Sequence, residues 1–240
     1  MRRLLAHIMA GAIVLFARTI TAVRGVWKGV APAPTRRVYF ANHTSNADFI
    51  LLWAAIPPQF RRHTRPVAAA DYWLKNKWRT FIGRDVVRGV LIDRNPETRT
   101  ADPVTQMAEA TDAGASLIIF PEGLRNMTEE DLLPFKTGLY HLATARPELE
   151  LVPVWIENLN RVMPKGEIIP VPILCTVTFG APLAYDADKE RFLQAAYDAV
   201  LALKPDTGDD PAKPPSYPPP ASGGRERQDR PSEKIPEARP

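Results

Sequence analysis

Short apolar runs that alternate with segments of helical character constrain the fold of this chain more than any other feature. The clearest run spans residues 116–120 and is apolar at nearly every position, which is typical of a strand covered on both faces. Strands that alternate with helices indicate an α/β fold with crossover connections. We therefore predict a mixed, largely parallel sheet flanked by helices. The predicted strands are residues 37–41, 66–69, 89–92, 116–120, 151–155 and 173–179, and the predicted helices are residues 47–56, 101–113, 136–145 and 187–203.

Proline is distributed unevenly along the chain and suggests where the folded part ends. The 240 residues include 25 prolines, and ten of them lie in residues 204–240. This segment has no apolar periodicity, so it cannot bury enough surface to offset the entropy lost on ordering. We predict a disordered tail over residues 204–240, one folded domain over residues 31–203, and a membrane-associating helix within residues 1–30.

The N-terminal segment is an apolar run with basic ends. Residues 4–17 form a largely apolar run of 14 residues between Arg3 and Arg18, whereas a bilayer-spanning helix needs about 20 residues. A helix that lies in the headgroup region, with arginines at its ends, fits this pattern better. A cleaved secretory signal and a buried core helix are the alternatives, but Arg18 stands where a signal would have its cleavage site.

Positive charge is concentrated toward the N-terminus. Residues 1–79 carry 13 Lys and Arg but two acidic residues, whereas residues 80–203 carry 11 basic and 18 acidic residues. Such a basic end favours an anionic partner, either nucleic acid or an anionic membrane leaflet. Residues 72–79 mix tryptophan and tyrosine with lysine and arginine, as membrane-interface belts do, although an ordinary solvated helix can have the same composition. Beside the apolar N-terminus, this pattern favours a membrane surface with anionic lipid and no nucleic acid.

Cysteine usage excludes two kinds of site. Cys175 is the only cysteine, so the chain has no internal disulfide and no cysteine metal site. Because Cys175 lies in a predicted strand, we expect a buried structural thiol there rather than a nucleophile.

A histidine and an aspartate at the end of a predicted strand are the first candidates for catalysis. His43 follows the strand, and Asp48 lies five residues later in the first turn of the next predicted helix. This spacing lets the carboxylate return to the imidazole, fix its tautomer and stabilise its charged form after Nε2 takes a proton. The alternative is that Asp48 caps its helix and His43 is an ordinary strand-end residue. Ser45 is too close to reach Nε2, and the chain has no G-x-S-x-G elbow. We therefore expect the substrate to supply the nucleophile.

Two arginines follow two further predicted strands. Arg94 comes just after the strand at residues 89–92, and Arg125 lies in the loop that follows residues 116–120. Together they would form a forked pair of guanidinium groups suited to a phosphate. In the same loop Gly123 allows close backbone approach, and Glu122 is a candidate to orient an arginine or bind a hydroxyl. Surface arginines and a plain turn are the alternatives.

These clusters resemble, in order and spacing, the motifs of the glycerolipid acyltransferase family, which includes 1-acylglycerol-3-phosphate acyltransferases of the bacterial type. The chain departs from the family pattern at Leu124, where a hydroxyl residue is usual, and at Asn126, where serine is common. The matching blocks are residues 42–48 (N-H-x4-D), 89–94 (G-x-x-x-I-x-R-like), 120–125 (F-P-E-G-T-R-like), 135–138 (F-K-x-G) and 152–154 (V-P-V).

The resemblance implies an O-acyltransferase of phospholipid biosynthesis in which His43 is the general base and Asp48 its partner. It implies an acyl-CoA or acyl carrier protein donor, a lysophosphatidic acid-like acceptor, and no metal or other cofactor. It also implies a membrane-associated protein at the cytoplasmic face of the inner (plasma) membrane. Another lysophospholipid or polar-lipid acceptor, a lipid esterase and a catalytically silent lipid-binding module remain alternatives. The implied substrate-binding residues are Arg94, Glu122, Gly123, Arg125 and Lys136.

Overall fold

The computed structural model describes residues 1–95, 97–157 and 174–205. Within these ranges, strands and helices alternate from the N-terminus to the C-terminus. The elements are α1 (Arg2–Thr21), β1 (Arg24–Trp27), β2 (Arg37–Ala41), α2 (Asp48–Ala55), α3 (Pro58–Arg61), β3 (Thr64–Ala69), α4 (Ala70–Trp73), α5 (Lys77–Thr80), a π-helix (Phe81–Val86), β4 (Val90–Ile92), α6 (Pro103–Asp112), β5 (Ser116–Ile119), α7 (Gly138–Ala145), β6 (Glu150–Glu157), β7 (Thr176–Phe179) and α8 (Lys189–Leu201).

The strands described form one sheet in the order β1-β7-β6-β2-β5-β3-β4. Every neighbouring pair is parallel except β6 and β7, which are antiparallel. The predicted α/β fold with a mixed, largely parallel sheet is therefore confirmed. Because β2, β3, β4, β5 and β6 run in one direction, the loops that follow them leave the same edge of the sheet, which is where open α/β sheets place their sites.

Side chains on the central strands alternate between two apolar layers. In β2, Val38 and Phe40 pack against the layer that contains α6, α7 and α8, whereas Tyr39 and Ala41 pack against the layer that contains α1 and α2. All five residues of β2 are buried, as expected for a strand covered by helices on both faces. The central strands are therefore rigid supports for the loops at their ends.

Helix α1 lies against the folded domain along its whole length. It buries Ala6, Val14 and Ala17, a spacing that places them on one face. Near its start Arg2 donates to Asp85 at 2.7 Å, and near its end Arg18 donates to the carbonyl of Ala54 at 3.0 Å. Its outer face remains apolar and exposed, through Leu4, Leu5, Ile8, Leu15 and Phe16.

The boundaries of several elements differ from the sequence-based expectation. The α1 helix has 20 residues, and it is long and apolar enough to cross a membrane, whereas the sequence predicted an apolar run too short to do so. The basic aromatic segment at residues 72–79 is divided between α4 and α5 and does not form one helix. Helix α6 begins at Pro103 because Asp102 caps it by accepting the N–H of Thr105 at 2.9 Å. The predicted tail lies outside the described residues from position 206 onward.

Candidate active site

The end of β2 is fixed by an asparagine. The side chain of Asn42 donates to the carbonyl of Ile156 at 3.0 Å and accepts the N–H of Ile156 at 2.8 Å. Asn42 is 3% exposed, so its amide replaces a backbone pairing between β2 and β6 and fixes the direction in which the chain leaves the sheet. His43 is the next residue and therefore starts from a defined position.

His43 and Asp48 are in direct contact, as their spacing predicted. The Nδ1 atom of His43 lies 2.8 Å from Oδ2 of Asp48, and the same oxygen accepts the N–H groups of Thr44 at 2.7 Å and Ser45 at 2.8 Å. Asp48 opens α2 and is fully buried. An ionised carboxylate only accepts hydrogen bonds, so Nδ1 carries the proton in this pair. The lone pair of the neutral imidazole is then on Nε2.

The imidazole of His43 also has a flat apolar support. Its ring stacks on Phe120 with 4.2 Å between ring centroids and 18° between ring planes. The side chain is 19% exposed, and Nε2 has no hydrogen-bond partner in the described part of the chain. The geometry therefore holds Nδ1 in the protein interior and leaves Nε2 accessible.

Glu122 occupies the turn that follows β5. One of its carboxylate oxygens accepts the backbone N–H of His43 at 2.6 Å, and the other accepts the backbone N–H of Leu133 at 3.0 Å. Burial raises the pKa of the Glu122 carboxyl above its usual range, and the N–H groups of Leu133 and His43 oppose that shift. The family resemblance implied a substrate-binding role for Glu122, and its partners within the protein are backbone groups.

Gly123 and Lys136 meet at the same turn. Gly123 has φ +73°, a conformation that side chains other than glycine rarely adopt. A Cβ atom at this position would lie 2.7 Å from Cδ of Lys136, so the lysine side chain passes directly over the glycine. The N–H of Lys136 also donates to the carbonyl of Pro121 at 2.8 Å. The two predicted substrate-binding residues are therefore neighbours.

Arg94 and Arg125 are more loosely held. Arg94 donates to Asp71 at 2.8 Å, in a pair whose side chains are 57% and 63% exposed. The hydrogen bond from Arg94 lowers the pKa of Asp71 below its usual range. Arg125 is exposed and forms no ion pair within the described residues. Both follow strands at the same edge of the sheet, but β3 separates β4 from β5, and the predicted forked pair stays a prediction.

Comparison with known proteins assigns the chain to a family. A family model described as Acyltransferase matches residues 28–157, just over half of the chain. The chain belongs to this acyltransferase family. The match includes β2, the His43–Asp48 pair and the loop after β5.

Several members of this family that are similar to the chain share one name. The 1-acyl-sn-glycerol-3-phosphate acyltransferase of Cocos nucifera is 29% identical over 171 residues, which are 70% of this chain and 53% of that protein. The protein of the same name in Escherichia coli is 29% identical over 175 residues, 70% of this chain and 66% of that protein. The chain spans about half the length of the plant relatives it matches.

A solved structure has the same fold as this chain. The crystal structure of PlsC, the 1-acyl-sn-glycerophosphate acyltransferase of Thermotoga maritima, has a TM-score of 0.61 with 19% sequence identity. The similarity covers 80% of this chain and 77% of that chain. The likeness supports the order and direction of the strands described above.

Three contributors to the candidate site were not predicted from the sequence. Asn42 and Phe120 lie inside the recognised motifs, and each has a role that its position beside a strand end indicates in retrospect. Leu133 contributes a backbone N–H only, which no side-chain pattern reveals. In the parts of the chain described, no group of three or more metal-ligating side chains comes together.

Proposed function

We propose that this protein transfers a fatty acyl group from an acyl thioester to the hydroxyl of a lysophosphatidic acid-like acceptor, with His43 as general base. The observation that carries the proposal is the contact between Nδ1 of His43 and the buried carboxylate of Asp48, 2.8 Å long. That contact leaves Nε2 as the accessible basic atom. In the described residues, no serine, threonine or cysteine side chain hydrogen-bonds to Nε2, so the nucleophile comes from the substrate.

The reaction is a direct transfer between two bound substrates. Nε2 of His43 takes the proton of the acceptor hydroxyl while its oxygen attacks the thioester carbonyl. Asp48 stabilises the imidazolium that results, because its charge lies next to Nδ1. When the tetrahedral intermediate collapses, the carbon–sulfur bond breaks, and the thiol leaves with the proton from His43. Alignment of the two substrates supplies much of the rate enhancement, and neither a metal nor another cofactor is needed.

Charge and the names of the relatives support the proposed acceptor end of the site. Arg94, Arg125 and Lys136 are cations at the edge of the sheet that carries His43, and a phosphate monoester is the natural ligand for such a group. Several relatives are named 1-acyl-sn-glycerol-3-phosphate acyltransferase. Leu124, in the loop after β5, is 52% exposed and provides no hydroxyl. Another lysophospholipid is therefore the second acceptor class to test.

The membrane is the proposed location of the reaction. Helix α1 is fixed to the folded domain at both ends and turns an apolar face outward. Such a helix lies in the interface with its apolar face among the acyl chains. Of the 13 basic residues in positions 1–79, only Arg2 and Arg37 form ion pairs within the described ranges. Exposed residues among the others, such as Lys75 and Lys77, can contact anionic headgroups. We place the site at the cytoplasmic face of the inner membrane, where acyl-CoA and acyl carrier protein occur.

One assay separates the proposed transferase from its alternatives. The purified full chain is mixed with labelled acyl-CoA or acyl carrier protein, with and without lysophosphatidic acid in vesicles. Transfer gives a labelled product that depends on the acceptor, and Ser45→Ala leaves its rate unchanged. Labelled free fatty acid without acceptor, lost in Ser45→Ala, would indicate an esterase. The absence of turnover with every lysophospholipid tested would refute the proposal and leave a lipid-binding module.

A further inference from the structure

Glu122 is a buried acid that holds together two loops at the edge of the sheet. It is 2% exposed, and each of its two carboxylate oxygens accepts a backbone N–H, from His43 at 2.6 Å and from Leu133 at 3.0 Å. Within the described residues it has no cationic partner. A buried carboxylate is costly unless hydrogen bonds replace its hydration, so these two N–H groups are what keeps Glu122 in place.

The main chain of His43 is held from both sides by the loop that contains Glu122. Its N–H donates to Glu122, and its carbonyl accepts the N–H of Asn126 at 2.6 Å. Phe120, two residues before Glu122, lies under the imidazole ring. The loop after β5 therefore fixes the backbone and the ring plane of His43, while Asp48 fixes the rotation of the ring.

The position of a general base is sensitive to such contacts. A catalytic group has to lie within about 0.5 Å of its productive position, and a displacement of about 1 Å costs about 100-fold in rate. Rotation of the peptide group at His43 would move Nε2 by an amount of this order, because the imidazole extends from that backbone. The contacts of Glu122 therefore matter for chemistry even though its side chain is buried away from solvent.

We propose that Glu122 is a positioning residue for the base His43 and not a ligand of the acceptor. This inference rests on the proposed role of His43 and differs from the role that the family resemblance implied. Both oxygens of the carboxylate already face backbone donors, and the side chain has almost no exposed surface for a substrate to contact.

The change Glu122→Gln tests the proposal because it keeps the shape of the side chain and removes one acceptor. Its amide nitrogen must face one of the two backbone N–H groups, so one contact breaks. The kcat is expected to fall about 100-fold, while the acceptor KM stays within about twofold of wild type. Glu129→Gln, an exposed glutamate of the same loop, is the matched control and leaves both constants unchanged.

A second measurement reports on His43 without any turnover. Diethyl pyrocarbonate modifies unprotonated imidazole nitrogens, and the modification rate of each histidine is followed by peptide mass spectrometry. The rate at His43 is expected to rise several-fold in Glu122→Gln, because the ring loses its fixed position, while His63 and His141 serve as internal references. Glu122→Asp retains the charge but is too short to reach both N–H groups. If Glu122→Gln does not fold, Glu122→Asp is used instead, and the same fall in kcat and the same rise in the His43 modification rate are expected.

The possible outcomes distinguish the positioning role of Glu122 from the proposed acyl transfer. A rise in acceptor KM at unchanged kcat, or an unchanged modification rate at His43 in both variants, would overturn the positioning role. If the wild-type chain does not transfer acyl groups, the proposed function fails. The modification rates still decide whether Glu122 positions His43.

Discussion

The two halves of the site are built in different ways, although both lie at one edge of the sheet. Around His43, the hydrogen bonds are short and at least partly buried, and Asp48, Glu122 and Phe120 all restrict the same residue. Around the arginines, the side chains are exposed, and the pair formed by Arg94 and Asp71 faces solvent. His43 is therefore held in place by the protein itself, whereas the exposed cations are free to adapt to a ligand.

This difference suits the two tasks proposed for the site. Proton transfer requires a base in a fixed position inside a low-dielectric environment, and folding provides that through buried hydrogen bonds. Binding of a phosphate at a membrane surface tolerates mobile side chains, because charge attraction decreases slowly with distance. Exposed ion pairs contribute about 0–1 kcal/mol to stability, so Arg94 can exchange Asp71 for a ligand at small cost.

The largest effect on turnover is expected from His43→Ala, which removes the proposed general base. Loss of a general base lowers kcat by about 10²- to 10⁴-fold. The fold should persist, because Asp48 keeps its two backbone hydrogen bonds from Thr44 and Ser45. The measurement is kcat for acyl transfer together with the thermal unfolding midpoint, and His141→Ala, an exposed histidine, is the control.

A double variant sharpens this prediction. If Asp48 acts only through His43, then His43→Ala combined with Asp48→Asn turns over no more slowly than His43→Ala alone. A further large loss in the double variant would show that Asp48 has a separate role, and retained turnover in His43→Ala would remove His43 as the base.

The buried half was largely predictable from sequence because its central contact is local. His43 and Asp48 are five residues apart, on a strand end and a helix start, so the alternation of apolar runs was enough to bring them together. The layer pattern of the sheet followed from the same alternation. The antiparallel pairing of β6 with β7 and the strand β1 were not predicted, because they depend on contacts between distant segments, such as Arg24 with Thr176.

The partners of the side chains were harder to predict than the fold. Glu122 receives the N–H of Leu133, which lies 11 residues further along, and backbone donors leave no trace in the residue types. Arg94 pairs with Asp71, 23 residues earlier. The two residues follow β4 and β3, and the sequence does not show that these strands are neighbours in the sheet. Sequence motifs therefore marked these residues but did not indicate the protein partners that Glu122 and Arg94 have in the structure.

An intermediate effect is expected from Arg125→Ala in the exposed half. If Arg125 binds the acceptor phosphate, its removal raises the acceptor KM about tenfold, which corresponds to about 1.4 kcal/mol for one charged hydrogen bond. The kcat and the unfolding midpoint should change little, because the side chain is exposed. Arg94→Ala should raise KM less, since Asp71 already neutralises part of its charge.

The control for the arginines is Arg99→Ala, another exposed arginine for which no motif predicts a role. Steady-state kinetics with lysophosphatidic acid and with a neutral lysolipid distinguish phosphate recognition from a general loss. An unchanged KM in Arg125→Ala would contradict a phosphate contact and would also weaken the comparison between a fixed and an adaptable half.

The smallest effect on turnover is expected from a substitution of Cys175. This residue is buried and lies close enough to Asp48 for its thiol to be affected by the carboxylate charge. Burial above all, with further contributions from Glu157 and Asp48, raises the pKa of the thiol to about 12. At pH 8 the thiolate fraction is then about 10³-fold lower than for an ordinary cysteine. Labelling by a thiol reagent should be slower in the native chain than in urea by at least that factor, and it should accelerate about tenfold per pH unit.

Cys175→Ser tests whether the buried thiol contributes to turnover. Since Cys175 is the only cysteine, urea-unfolded wild type provides the matched labelling rate without a second variant. Turnover of Cys175→Ser should remain within about twofold of wild type, because the thiol is buried and forms no hydrogen bond with His43 in the described part of the chain. Native labelling as fast as that in urea would mean that the apolar layer around Cys175 opens readily, and the surroundings of His43 would then be less rigid than their hydrogen bonds suggest.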